Sequence, residues 1–454
     1  MHTHLSPREI AENKPLGNIW KAMVFDPDAG NCDHYIAQLM AGEDVPFAFT
    51  YGDAPDEQKW NEFARVFPDL RSTQIGPWTQ LELNQTIGIE GLLSGTTKAK
   101  FWNDGNRRLE QPDMLPRALA ADAFRIVATT DDPDSDLKYH EQINDPKTGL
   151  DECLVIPTFR PDTATQIHKP GWREHVNKLL EQTGKDATLD GLVAALKQRF
   201  EYFIEHGCLA SDHGLTIPYG LEPNKNMAIQ AFNEVHLHPD KQVSEKHKVE
   251  FISYMMDQFC SWARDAKTVA QIHIGVERNE NSHIMDNFGA NRGGDYAPHS
   301  VKIADNLKHL LSRYAGTGDR EKDGKIVLYC ANPSFYGTMA GLLRTFPGTS
   351  TGNAWWWWDS LEGMEQQHDA MAPSVSYGRW SGMACDARKL VSAKTRHETH
   401  ARAVCNHLGK RVEAGTLHYD DAKIAVAKLC YGNAKTLFDP RKAEKRLNKY
   451  TLAK

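Results

Sequence analysis

Two histidines separated by one residue, His2 and His4, stand at the opening of the chain. In an extended segment alternate side chains share a face, so both imidazoles point the same way, as two ligands of one metal ion must. An HxH pair alone says little, because histidines near a chain start are common. Its weight rises with His273 after a strand-like run in mid-chain and Asp386 after the last such run. Neutral imidazoles plus one carboxylate, with a coordination position left open, are the ligand layout of a metal-dependent enzyme. Other polar groups follow the apolar runs: Thr129 to Asp132, Thr158 to Arg160 with Asp162, Ser211 to His213, Arg278 and Arg388.

Groups this far apart in sequence need a fold that gathers them. Short β-branched runs at 125–129, 153–158, 268–275 and 325–330 alternate with longer helical patterns, which predicts a parallel sheet with helices outside it. Weaker candidates at 1–5, 207–210, 352–358 and 381–385 bring the count to eight. Eight is the number required by an α/β fold of the (β/α)8 TIM-type barrel, in which function collects at the carboxyl ends of the strands. About 120 residues separate the first candidate strand from the second, which predicts a helical insertion over 36–123, with helical periodicity near 55–67 and 111–123. Residues 396–454, with Ala403, Val404, Leu408, Ile424 and Leu429 among their apolar positions, predict terminal helices packed on the barrel. No repeat or linker marks a boundary, so 1–454 reads as a single domain.

The 454 residues are 40% hydrophobic and 25% charged, a balance that excludes fibrous and disordered classes. Lys and Arg number 53 against 60 Asp and Glu, a net charge of -7, which argues against nucleic acid or an anionic membrane as a general partner. The eight cysteines are spread along the chain without a CxxC pair and read as reduced core thiols. The opening residues lack a secretory apolar region and no uninterrupted run of 18 apolar residues occurs, so a cytoplasmic protein is expected.

The strings HTHLSPREIAENK, TTDDP, PTFRPD, CLASDHG, QIHIGVERN, WWWWDSLEGMEQQ and TRHETHARAVCNHLG occur in this order between residue 2 and about 435. Together they resemble the ordered signature of the uronate isomerases, a branch of the amidohydrolase superfamily. The resemblance implies a (β/α)8 barrel that interconverts an aldose uronate and its ketose, D-glucuronate with D-fructuronate or D-galacturonate with D-tagaturonate. It implies that His2, His4 and Asp386 bind a divalent metal, usually zinc. Asp386, Tyr35, His34 and Arg388 match catalytic positions, with Tyr35 in proton transfer. Arg160, Asp212, His273, Arg278, Trp355 and Trp356 match residues that line the substrate pocket, and Asp359 shares the loop of the two tryptophans. The implied partner is a small sugar acid, and a homo-oligomer is compatible with it.

Blander readings compete at several positions. Arg160 and Asp162 suit a structural ion pair, Asp131 and Asp132 before Pro133 suit a turn or helix cap, and the run Trp355 to Trp358 suits core packing. His397 and His400, three apart and without HExxH order, read as a satisfied helix surface. Two features depart from the family's pattern. The HxH motif falls at residue 2, where the family carries a fuller first strand: either the true start lies upstream, or the strand is stunted, with His2 and His4 poorly held and a weak hold on the metal. Gln80 replaces the histidine expected before LEL, which points to altered substrate preference. The rival functions are a hydrolase of the same superfamily, which gives no special reason for the arginines, and a non-catalytic sugar-acid binder, which the short start and Gln80 make plausible.

Overall fold

The computed structural model describes every residue except 1, 15, 27–30, 112–118, 120–123, 146–152, 239–240, 320, 354–355 and 454. The fold is α/β, built on parallel sheets. A short antiparallel pair, β1 (Phe25–Asp26) and β2 (Asn31–Cys32), precedes the parallel pair β3 (Ile126–Ala128) and β4 (Leu154–Ile156). A five-stranded parallel sheet follows in chain order: β5 (Ala210–Leu215), β6 (Val269–Ile274), β7 (Lys325–Cys330), β8 (Thr349–Asn353) and β9 (Trp380–Met383). β6 is buried at every position and β7 at all but Lys325, as expected for parallel strands covered on both faces.

Amphipathic helices connect the strands, and polar caps start them. The side chains of Thr188, Asn224 and Ser244 each accept a backbone N–H in the first turn of their helices, an interaction that typically contributes about 1 kcal/mol. The main core lies between these helices and the strands. In it Phe159 meets Phe200 and Phe203 edge-on, each with ring centroids 5.4 Å away. The stretch between β2 and β3 is helical at Asp56–Leu70, Ile75–Leu81 and Lys98–Leu109, around a second core that includes Trp60, Phe63, Phe67 and Trp78. The expected helical stretch at 111–123 falls mostly outside the described residues. Helices Ala393–Glu413, Tyr419–Ala427, Asn433–Phe438 and Pro440–Ala453 close the chain. Among the described residues no helix is long and apolar enough to cross a membrane.

Single bridges extend the pairing beyond the sheets. Thr3 bridges Ala387 in parallel, and its amide and hydroxyl both donate to Ala128 O. His4 N donates to Ala387 O, and Asp386 N donates to His2 O, each at 2.8 Å. Residues 2–4 are thus bonded to β3 on one side and to the turn after β9 on the other. The first segment is short, as expected, and its backbone is bonded on both sides. Further bridges join Asp131 to Phe159 and Phe159 to Ser211.

The four clear runs coincide with β3, β4, β6 and β7. The weaker ones are displaced: β5 begins where the 207–210 candidate ends, and β8 ends near the start of 352–358, whose Trp356–Trp358 portion is a 3-10 turn. The cause is the same at both places. The strands ASDHGL and TSTGN carry polar side chains, with Asp212 of the first at the site and Asn353 of the second bonded to His368 and His400, so an apolar-run criterion slides off them.

His400 corrects another reading. Rather than lying on a helix surface, it is buried, with Nε2 2.8 Å from Asn353 Oδ1. Burial pushes its imidazole down to about 4, and burial does the same to His213. Both are therefore neutral in the folded protein while the unfolded chain takes up protons below its usual histidine pKa of about 6.5. This stability is present above pH 6.5 and is lost as pH falls toward 4, on the order of 3 kcal/mol for each ring. Thermal unfolding should show a falling Tm between pH 6.5 and 4.5, with a shallower fall in His400→Gln. An identical slope in that variant would remove His400 as a cause.

Candidate active site

The first segment and the turn after β9 bring three of the expected ligands together. His2 Nε2 and His4 Nε2 each lie 3.2 Å from Asp386 Oδ1. Asp386 adopts a left-handed backbone, φ 50°, a conformation that Asp tolerates better than most residues. His2 and Asp386 are buried and His4 nearly so. Two imidazole nitrogens aimed at one carboxylate oxygen leave a space that a divalent cation fits, and the three ligand atoms lie within 4.8 Å of one another. Asp386 Oδ2 and His2 Nδ1 have no hydrogen-bond partner among the described residues. Burial pushes His4 down to about 3, so it is neutral as a metal ligand must be. Burial opposes ionisation of Asp386, but hydrogen bonds from His2 and His4 prevail and hold it well below the usual carboxylate range.

Behind this trio lies a second layer on β5 and β6. Asp212, fully enclosed, has Oδ1 2.7 Å from His273 Nδ1 and Oδ2 3.0 Å from Arg160 Nη1, with His2 Nδ1 3.9 Å away. Burial would raise the Asp212 carboxyl, but His273 and Arg160 keep it well below its ordinary value. Arg160 Nε also contacts Asp162 Oδ2 at 2.9 Å, so the structural ion pair and the site contact expected for this arginine coexist. Asp162 is fixed in turn by the Gly214 amide. A Cβ at Gly214 would come within 2.7 Å of Arg160 Nη2, which explains the glycine in the middle of a strand. His273 stacks on Tyr329 at 4.5 Å and lies 4.5 Å from the ring of His2.

The opposite wall is aromatic and cationic. Asp33 caps the helix His34–Gly42 by accepting the Tyr35 amide, while its other oxygen lies 3.3 Å from Lys389 Nζ. His34 packs on Tyr35 at 4.3 Å and on Trp356 at 5.2 Å, and Tyr35 meets Trp356 at 5.5 Å and Trp78 at 6.4 Å. Arg278 places its guanidinium 5.1 Å from the Trp356 ring, with Asp295 4.0 Å away. Burial and then the charge of Arg388 pull the Arg278 pKa down, the mark of two cations crowded at one enclosed place. Burial, reinforced by Asp386, raises Tyr35 well above 10, so it stays a phenol. Burial pushes His34 down to about 4, and its Nε2 has no partner among the described residues. Asp359 pairs with Arg396 at 3.3 Å, and burial raises it to about 8. Trp355 lies outside the described residues; Trp356 is buried, with φ 67°.

Two further positions make local contacts. Asp131 accepts the Thr129 hydroxyl at 2.7 Å and lies 3.7 Å from His140, a local strand-end role. Gln80 donates to Gly91 O and Asn84 Oδ1 and accepts from Leu93 N, so its amide holds a loop of the insertion. Trp78, Lys389 and Arg396 were not singled out by sequence. Asp33 was legible as a helix cap preceding the HY pair, but nothing in the pattern TRHETH marks Arg396 as buried.

The sequence and fold both have relatives. Residues 1–438 match the family described as glucuronate isomerase. Proteins named uronate isomerase from Thermotoga maritima and Clostridium perfringens are 33% and 30% identical to it, over 96% of this chain and 93% of each relative. The solved uronate isomerase of Thermotoga maritima aligns with a TM-score of 0.88 at 32% identity, covering 96% of this chain and 93% of that one. The glucuronate isomerase structure from Caulobacter crescentus aligns equally well, at 0.88, with 23% identity and 96% and 90% coverage, a likeness of fold. A match along nearly the whole chain, together with the site just described, establishes that this chain belongs to the glucuronate isomerase family.

Proposed function

We propose that this protein is a cytoplasmic, metal-associated uronate isomerase that interconverts D-glucuronate with D-fructuronate and D-galacturonate with D-tagaturonate. The observation that carries the reading is the cluster in which His2 Nε2 and His4 Nε2 each lie 3.2 Å from Asp386 Oδ1, in a chain whose residues 1–438 match the glucuronate isomerase family. The scaffold is read as one (β/α)8 barrel over 1–454, with a helical insertion at 36–123 and terminal helices at 396–454. The bridges from Thr3 to Ala387, from Asp131 to Phe159 and from Phe159 to Ser211 support closure of the two parallel sheets into a ring.

Moving a carbonyl from C1 to C2 requires a base for the C2 proton, a donor to the carbonyl oxygen and exclusion of water. Asp386 Oδ2, anionic and without a hydrogen-bond partner among the described residues, takes that proton and returns it to C1, while Oδ1 keeps the two imidazole contacts. Tyr35 gives its hydroxyl proton to the carbonyl oxygen, and neutral His34 takes the proton of the C2 hydroxyl at Nε2 and passes it to Tyr35, beside which it packs, so that both side chains end as they began. Arg278 and Arg388 clamp the uronate carboxylate; Arg160, engaged by Asp162 and Asp212, forms the pocket floor with Asp212 and His273. Trp356 forms the aromatic side. His2, His4 and Asp386 would hold a divalent ion, zinc in this reading, which supplies Lewis-acid polarisation of substrate oxygens.

Incubation with each uronate, with and without a chelator, tests this. Ketose should form from at least one substrate and slow on chelation. Lactone cleavage would favour the hydrolase, and thermal stabilisation by uronate without turnover would favour a binder.

A further inference from the structure

Arg396 is charged yet only 4% exposed, and a buried cation persists only when its surroundings engage it from several sides. Its Nη1 donates to Cys385 O at 3.0 Å and lies 3.3 Å from Asp359 Oδ2. Its guanidinium carbon sits 3.8 Å from the centroid of the Trp78 ring. These partners belong to three separate parts of the chain: the turn after β9, the loop after β8 and the insertion helix Ile75–Leu81. Cys385 O is the carbonyl of the peptide that leads into Asp386, whose left-handed backbone needs external support. Trp78 is the edge-on neighbour of Tyr35.

We propose that Arg396 is a positioning residue that sets the base against the acid: it fixes the Cys385–Asp386 peptide with one contact and the Trp78 plate under Tyr35 with another. The inference rests on the assignment of Asp386 and Tyr35 to proton transfer. Arg396 itself touches no substrate, so its loss should lower kcat and leave KM in place. A lysine keeps the charge but cannot reach a carbonyl, a carboxylate and a ring face at once. A displacement of about 1 Å between reacting groups is enough to cost roughly 100-fold in rate.

The test compares parent, Arg396→Lys and Arg396→Ala in the uronate-to-ketose assay. Expected for Arg396→Lys is a kcat roughly 100-fold below parent with KM within about threefold. In Arg396→Ala, millimolar guanidinium should restore at least part of the lost kcat, and it should do nothing for the parent. A parent that makes no ketose removes the isomerase reading itself. A parent that turns over while folded Arg396→Lys matches it, or while KM and kcat fall together without guanidinium rescue, overturns this inference alone. If neither Arg396 variant accumulates as folded protein, Trp78→Phe decides: reduced kcat at unchanged KM supports the role, and parent-like kcat overturns it.

Discussion

Asp386→Asn should abolish isomerisation and leave the fold intact. The substitution is isosteric, and Asn adopts a left-handed backbone as readily as Asp, so the φ of 50° at this position is retained. An amide oxygen can still accept from His2 and His4, which lie 3.2 Å from Oδ1. What disappears is the proton acceptor, because a carboxamide cannot take the C2 proton at any working pH. A fall in kcat of roughly 10²- to 10⁴-fold is expected, measured as ketose formed, with Tm within a few degrees of parent. Near-normal turnover would remove Asp386 from the chemistry.

Tyr35→Phe is the second variant with a large expected effect, and it separates packing from proton donation. The ring contacts with His34, Trp356 and Trp78 survive the change, since all three involve the aromatic face or edge. Only the hydroxyl is lost. Because burial holds this phenol protonated, its service is as a hydrogen donor throughout the active pH range. The expected result is a kcat reduced roughly 100-fold or more with KM little changed, the pattern of an interaction that strengthens in the transition state. An equal rise in KM with kcat preserved would make Tyr35 a ground-state contact instead.

Much of the architecture was readable because parallel strands buried on both faces announce themselves as apolar runs, as in KIVLYC and VAQIHI. The polar strands are harder to see: Ser211, Asp212 and His213 interrupt β5 with polar side chains, and β8 offers Thr, Ser and Asn. The HxH pair, Asp386, His273 and the arginines could be named from residue type and order, and the fold places His2, His4 and Asp386 within one cluster. The sequence offered Asp162 as a partner of Arg160 but not Asp212, which only the fold brings to it, and it did not show that Arg278 lies over a tryptophan ring. Arg396 was invisible because its importance comes from three partners remote in sequence.

The parallel pairing is unevenly distributed. β5, β6 and β7 pair through six residues at each junction, whereas the His2 to His4 segment meets its neighbours through isolated bridges. Amides on that thin side should therefore exchange with deuterium well ahead of those in β6 and β7, since local opening there breaks few bonds. A cation that ties both imidazoles to Asp386 would act as a clasp across the thin side. Slowed exchange confined to residues near 2–4 and 386–387 would then report metal loading directly, without any substrate present.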